Sequence, residues 1–250
     1  MSDPAILIRD VRYSYNGVPV LKSIDLTVEE DDFLAVIGPN GGGKTTLIKI
    51  MLGLYRPDSG SVRVLGRDPV TAARKVGYVP QDTTTNRMFP IIVRDVIRMG
   101  LLGRDMRKEV WGHEASIVRN ALETVDMWEF RDRRIGELSG GQRQRVFISR
   151  ALATEPDILM LDEPTANIDL EGQMKIYSVL KRLNERMTIV VASHDVTGLL
   201  GYARSMAYVN VTLHTHDVPH MTHDVLEQLT GTTFEHLCPV GVMSRMLDHR

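Results

Sequence analysis

FLAVIGPNGGGKTT, running from Phe33 to Thr46, is the stretch whose reading decides the fold. Phe33 to Ile37 is a compact apolar run without polar alternation, which reads as a buried strand. Gly38 to Thr45 then fits G-x-x-x-x-G-K-[ST], and the apolar spacing from about Lys44 to Leu52 is helical. Strand, glycine-rich turn and helix, in that order, is the context in which this pattern makes a phosphate cradle. Gly38, Gly41, Gly42 and Gly43 let the backbone turn tightly, so that N–H groups converge on phosphate oxygens around Pro39 and Asn40. The N-terminus of the following helix adds a favourable dipole of ~0.3–2 kcal/mol. Lys44 is placed to meet the β- and γ-phosphates, the Thr45 hydroxyl to help hold magnesium, and Thr46 to complete the loop. A chance glycine-rich turn is the competing reading, and it leaves the flanking strand and helix unexplained.

Working outward, Ile6, Ile8 and Val11 alternate as in a half-buried strand, and Ile24 to Val28 reads as a second. Pro57, Asp58, Ser59 and Gly60 form a turn cluster before a short strand at Ser61 to Leu65. Val76 to Val79 is another strand and ends at Pro80. Between Gln81 and Glu137 the pattern changes: Val93, Val96, Ile97, Ile117, Val118, Leu122 and Val125 recur at helical spacing. That stretch is expected to be a mostly helical insertion. Beyond it come a helix after Gln142, a strand at Ile158 to Leu161, a helix over Gly172 to Asn184 and a strand at Thr188 to Ala192. A strand or hairpin near Tyr208 to Val211 and a helix near Thr222 to Leu229 complete the expected elements.

Three further strand ends carry chemistry. ILMLDEP, Ile158 to Pro164, delivers Asp162 where a carboxylate can sit beside magnesium, directly or through water. Glu163, one residue on, is placed to orient and deprotonate a water attacking a γ-phosphate, a role typically worth ~10²–10⁴-fold in rate. His194 follows the strand ending at Ala192, within reach of the same phosphate and water, and Gln81 can ligate magnesium and water after its own strand. A lone histidine or glutamine is more often structural; these two gain weight from their companions. Tyr15 offers a face on which adenine can stack, with Tyr13 as its competitor. Finally LSGGQ, Leu138 to Gln142, opens a helix, so that Ser139, Gly140, Gly141 and Gln142 form a second anion-ready helix N-terminus. An ordinary serine cap is the plainer reading, but it does not account for two glycines.

Composition sets limits. The chain has 250 residues, 43% of them hydrophobic and 25% charged, with a formal net charge of −2. That is the profile of a globular protein, and it lacks the basic surplus of a nucleic-acid binder. No apolar run approaches the ~20 residues needed to span a bilayer. MSDPAILIRD lacks the pattern of a secretory leader, and the lone Cys238 excludes an internal disulfide, so a reducing, cytosolic setting is expected.

Taken together, GPNGGGKTT, YVPQ ending at Gln81, LSGGQ, ILMLDEP and the Ser193-His194-Asp195 triplet resemble the ATP-binding subunits of ABC transporters, in the family's order and spacing. The resemblance covers Ile6 to about Met206. It implies an α/β fold: a P-loop NTPase core of ABC type, with a mixed sheet flanked by helices, an N-terminal antiparallel β part and an inserted helical subdomain. Residues 1–81 and 143–210 would form the core, 82–142 the helical subdomain with the signature motif, and 211–250 a C-terminal extension of the single domain. It implies ATP and Mg2+ as ligands and a head-to-tail homodimer, each ATP held between the Lys44 loop of one chain and the Ser139 loop of the other. Carried over to matching positions, Tyr15 stacks on adenine, Gln81 senses magnesium, Glu163 is the base, His194 is the switch histidine, and Asp169 lies in the loop touching the partner. Asn167 departs from the small residue many members carry there.

FPIIVRDVIRMG, Phe89 to Gly100, and VNVTLHTHDVPHMTHDVLEQLTG, from Val209, are similar to segments of the zinc, manganese and iron import branch. The expected function is therefore powering uptake of a divalent transition metal, zinc or manganese. The expected site of action is the cytoplasmic side of the membrane, with integral permease subunits contacted near Arg87 to Pro90, an extracytoplasmic metal-binding protein and no nucleic acid. His214, His216, His220, His223, His236 and His249 crowd the C-terminal region; regulatory metal binding and a plain histidine-rich surface both fit that crowding. The rival classes are import of another substrate and a soluble, non-transport ABC ATPase. The latter usually carries coiled-coil insertions or a second cassette, and this chain has neither.

Overall fold

A computed structural model describes residues 3–81, 90–102, 113–195, 198–199 and 201–218. In chain order the first elements are β1 (Ile6–Tyr15), β2 (Val18–Val28), β3 (Phe33–Ile37), α1 (Lys44–Met51), β4 (Ser59–Val64), α2 (Pro69–Ala72) and β5 (Val76–Val79). There follow α3 (Val93–Gly100), α4 (Glu114–Thr124), α5 (Gly140–Leu152) and β6 (Ile158–Asp162). The last are α6 (Leu170–Asn184), β7 (Thr188–Ser193), β8 (Ser205–Asn210) and β9 (Thr212–Asp217). The elements fall into two compact units, Met1–Ala73 with Thr188–Arg250, and Arg74–Met187.

The first unit holds two sheets. β2, β1 and β4 pair antiparallel in that order. The hairpin between β1 and β2 turns on Asn16 and Gly17, both at positive φ, which is the two-residue turn that suits the strand twist. This turn starts β2 at Val18, six residues before the apolar pattern at Ile24 suggests. In the second sheet β7, β3 and β8 are parallel and β9 returns antiparallel on β8, so the sheet is mixed. Every residue of β3 and β7 is buried, as expected of central parallel strands. The β8–β9 hairpin realises the one expected near Tyr208.

In the second unit β5 and β6 form a parallel pair, and α5 packs on β5, α3, α4 and α6. A Cβ on Gly100 would stand 2.4 Å from the Arg150 carbonyl oxygen, so only glycine lets the end of α3 lie this close to α5. Two arginines close the C-terminus of α4: Arg182 donates to the Thr124 carbonyl at 2.7 Å and Arg145 to the Val125 carbonyl at 3.1 Å. Those carbonyls have no partner within the helix, and the cations also oppose its dipole. The stretch expected to be helical is so where described, in α3 and α4. Residues 82–89, including Arg87, and the helix expected near Thr222 lie outside the described residues, as do His220, His223, His236, Cys238 and His249.

Leu34, 1% exposed in β3, and Val70, 68% exposed, set opposite expectations. Leu34→Ala should cost ~2–5 kcal/mol in urea unfolding, and Val70→Ala no more than ~0.5 kcal/mol.

Candidate functional site

The loop from Gly38 to Thr46 is built by contact with β8 and β2. A Cβ on Gly38 would stand 2.1 Å from the Val209 carbonyl oxygen, and one on Gly42 would stand 2.7 Å from the same oxygen. The Val211 N–H donates to the Gly42 carbonyl at 3.1 Å, and the Lys22 N–H to the Val211 carbonyl at 2.8 Å, so β2, the loop and the β8–β9 turn are stitched by backbone. Gly41 has open space around it and is glycine because of its φ of +79°. Pro39, Asn40 and Gly41 form the exposed crest. Lys44 is 6% exposed and donates from Nζ to the Gly38 carbonyl at 2.8 Å and the Pro39 carbonyl at 3.1 Å. The ammonium is thus held by the loop it serves. Gly43 caps α1 without a side-chain hydrogen bond, and the first turn carries no acid. Its N–H groups and dipole therefore suit an anionic ligand. Thr45 and Thr46 are half-buried in that turn.

Strand register brings the other residues to carboxyl ends. In the first unit Ile37 pairs with Ser193, so Gly38 and His194 leave neighbouring strands at the same edge. His194 is exposed there. In the second unit Val79 pairs with Leu161, so Gln81 and the Asp162-Glu163 pair share one edge. Asp162 is 1% exposed and Glu163 7%. Gln81 and Asp162 are oxygen donors, one neutral and one anionic, following or ending adjacent parallel strands, and they are of the donor types a hard divalent cation takes. Glu163 has a φ of +48°, a region that non-glycine residues rarely adopt.

Ser139 is the N-cap of α5 in a reciprocal box: its hydroxyl accepts from the Gln142 N–H at 3.2 Å, and its N–H donates to Gln142 Oε1 at 2.9 Å. The helix therefore starts at Gly140, earlier than expected, with Gln142 inside it. The hydroxyl proton is still available to donate to a ligand. Gly141 has a packing reason as well, whereas a Cβ at Gly140 would make only ordinary contact. A Cβ on Gly141 would lie 3.3 Å from Gly172 Cα and 3.5 Å from Ile168, and one on Gly140 would lie 3.7 Å from Ile168. Asp169 caps α6, accepting from the Gly172 N–H at 3.0 Å. Tyr13 stacks on Tyr55, with centroids 5.4 Å apart and planes within 6°, whereas Tyr15 is 59% exposed. One face of Tyr13 is thus taken by Tyr55, and Tyr15 is the more exposed of the two.

Residues 21–166 match the family model described as ABC transporter. The chain belongs to the ABC transporter family. Among relatives of this ABC protein, the high-affinity zinc uptake system ATP-binding protein ZnuC of Bacillus subtilis is 37% identical over 76% of this chain and 84% of its own. The zinc transport system ATP-binding protein TroB of Treponema pallidum is 40% identical over 83% and 79%. Among solved structures, cbiO1 of Clostridium perfringens, part of the ABC transporter complex cbiONQ, superposes with a TM-score of 0.80 at 25% identity, covering 92% of this chain and 93% of that one. A dimeric ATP-binding cassette in a post-hydrolysis state with ADP and Pi gives 0.73 at 25% identity, covering 85% and 98%. The ABC fold and an ATPase activity follow from this membership.

Residues that motif reading passed over lie around Asp162 and Glu163. Tyr177 and Thr165 share a buried hydrogen bond of 3.0 Å. Tyr78, on β5, is half-buried, and that burial, with the Asp162 carboxylate nearby, pushes its phenol up to about 12. The folded state thus holds this proton more tightly than the unfolded chain, whose phenol ionises near 10. The stability this contributes is complete below pH ~10 and is lost as pH rises toward ~12. Urea unfolding across that window should show a shallower alkaline decline in Tyr78→Phe than in the wild type.

Proposed function

We propose that this ABC ATPase powers the import of a divalent transition metal, zinc in the first place, as the ATP-binding subunit of a membrane complex. The observation that carries this reading is the similarity, over most of the chain, to ATP-binding proteins of zinc uptake and transport systems. Among the described residues no helix is long and apolar enough to cross a membrane. The reading therefore gives translocation to separate permease subunits, seats this chain at their cytoplasmic face, and adds an extracytoplasmic metal-binding protein to deliver the ion.

In the proposed cycle the single domain works as a head-to-tail homodimer, with 1–81 and 143–210 as core, 82–142 as helical subdomain and 211–250 as extension. Tyr15 stacks on adenine, and the loop Gly38, Pro39, Asn40, Gly41, Gly42, Gly43, Lys44, Thr45 and Thr46 wraps the phosphates. Thr45, Gln81 and Asp162 would hold Mg2+, which when bound neutralises charge on the β- and γ-phosphates. Ser139, Gly140, Gly141 and Gln142 of the second chain grip the same nucleotide, and Asp169 lies at the partner contact. Glu163 takes the proton of the attacking water, and His194 contacts the γ-phosphate. Supporting this division of labour is the α5 N-terminus itself, which offers N–H groups and a hydroxyl but has Gly140, Gly141, Gln142 as its first turn and no lysine. Two ATP molecules bind the closed dimer better than the open one, and hydrolysis releases it.

Glu163→Gln should lower ATP turnover by ~10²–10⁴-fold while ATP binding is retained; unimpaired turnover would overturn the role of Glu163. Lys44→Ala and Ser139→Phe should each be inactive alone. Mixed in equal amounts, they form heterodimers with one intact composite site, so activity reappears, up to about a quarter of wild type for random pairing of independent sites; no recovery would sink the shared site. With its permease in proteoliposomes, the complex should accumulate zinc only with ATP and not with Glu163→Gln. Uptake of another substrate with none of zinc would overturn the metal.

A further inference from the structure

We propose that Tyr177 and Gln173, on α6, are positioning residues that hold the turn after Glu163 in its working shape. The proposal rests on the reading of Glu163 as the base. That turn is unusual backbone: Glu163 and Asn167 both have positive φ, at 48° and 60°. Such conformations persist only where surrounding contacts over-determine them. Within the turn the Ala166 N–H donates to the Glu163 carbonyl and the Ile168 N–H to the Thr165 carbonyl, each at 3.2 Å.

Further hold comes from α6. Tyr177, 2% exposed, meets the Thr165 hydroxyl, 4% exposed, at 3.0 Å. Gln173 Nε2 donates to the Thr165 carbonyl at 3.4 Å and to the Ile168 carbonyl at 3.0 Å, spanning the turn from one side chain. Asp169 closes the end by capping the same helix. Thr165 is thus fixed through side chain and backbone two residues from Glu163. The buried hydroxyls of the pair satisfy each other, so the pair stands in the core without the cost of unpaired polar groups. Its geometry fixes where the turn sits relative to the helix axis. From the far side, the signature glycines lie against Ile168 and Gly172, so the segment is braced between α5 and α6.

The test uses the full chain and its ATPase kinetics. Tyr177→Phe removes one hydroxyl, and Gln173→Met removes the spanning donor at nearly constant length. Thr165→Val combined with Tyr177→Phe removes both hydroxyls of the pair at nearly constant volume, and circular dichroism with urea unfolding checks that the variant is folded while the tether is lost. Each should lower kcat by on the order of 10- to 100-fold, the scale expected of a catalytic group misplaced by ~1 Å, with KM for ATP within about twofold of wild type. Wild-type kcat in the folded double variant, or a loss confined to KM, overturns the proposal. Glu163→Gln measured alongside separates the two ideas. Turnover retained there sinks the base reading; turnover lost there but unchanged in the double variant sinks only the tether.

Discussion

The carbonyl oxygen of Val209 occupies the place where a side chain on Gly38 or Gly42 would begin, and the phosphate loop takes its shape from that contact. Because the end of β8 leaves no room, the chain from Ile37 must run as bare backbone. Its carbonyls at Gly38 and Pro39 turn back to hold Lys44, and the Pro39 carbonyl also accepts from the Gly42 N–H at 3.1 Å. A lysine fixed in advance loses less conformational freedom when phosphate arrives. Loop, lysine and the uncapped start of α1 are thus one construction, set by the register of β3 on β8.

The same logic of parallel strands orders the remaining chemistry. In a parallel sheet all carboxyl ends point one way, and residues just beyond them converge without long side chains. His194 joins Gly38 through the β3–β7 register, and Gln81 joins Asp162 and Glu163 through the β5–β6 register. β3, β6 and β7, buried along their whole length, specify that register strongly, because a one-residue slip would carry Asp162 into apolar packing.

This explains which parts were legible in the sequence. β3 and β5 begin and end where their apolar runs do, since a buried strand has sharp limits at Gly38 and Pro80. β2 starts earlier than Ile24 because its first half is an exposed hairpin arm, made by Asn16-Gly17 rather than by burial. α5 starts earlier than Gln142 because the Ser139–Gln142 box is local hydrogen bonding that apolar periodicity does not register. The candidate residues were legible from motifs alone. The positive φ of Glu163 was not, since glutamate carries no signal for it, and neither was the Tyr177–Thr165 bond, which depends on how α6 lies against a turn twelve residues earlier.

The two anion-ready helix starts differ in a way that bears on their roles. α1 begins uncapped behind a buried lysine, so a ligand there finds a full charge and several amides. α5 begins with its cap partly satisfied: the Ser139 oxygen is used by the Gln142 amide, and what is left to offer is the Gly140 and Gly141 amides, one hydroxyl proton and the dipole, with no full charge. A helix dipole at an exposed site is worth ~0.3–1 kcal/mol, against the much larger demand of a triphosphate. In the proposed dimer such a site would add grip to a nucleotide whose charge is neutralised elsewhere, without retaining one by itself. That weakness has a use in the proposed dimer, because a signature loop that bound nucleotide tightly alone would compete with closure instead of reporting it.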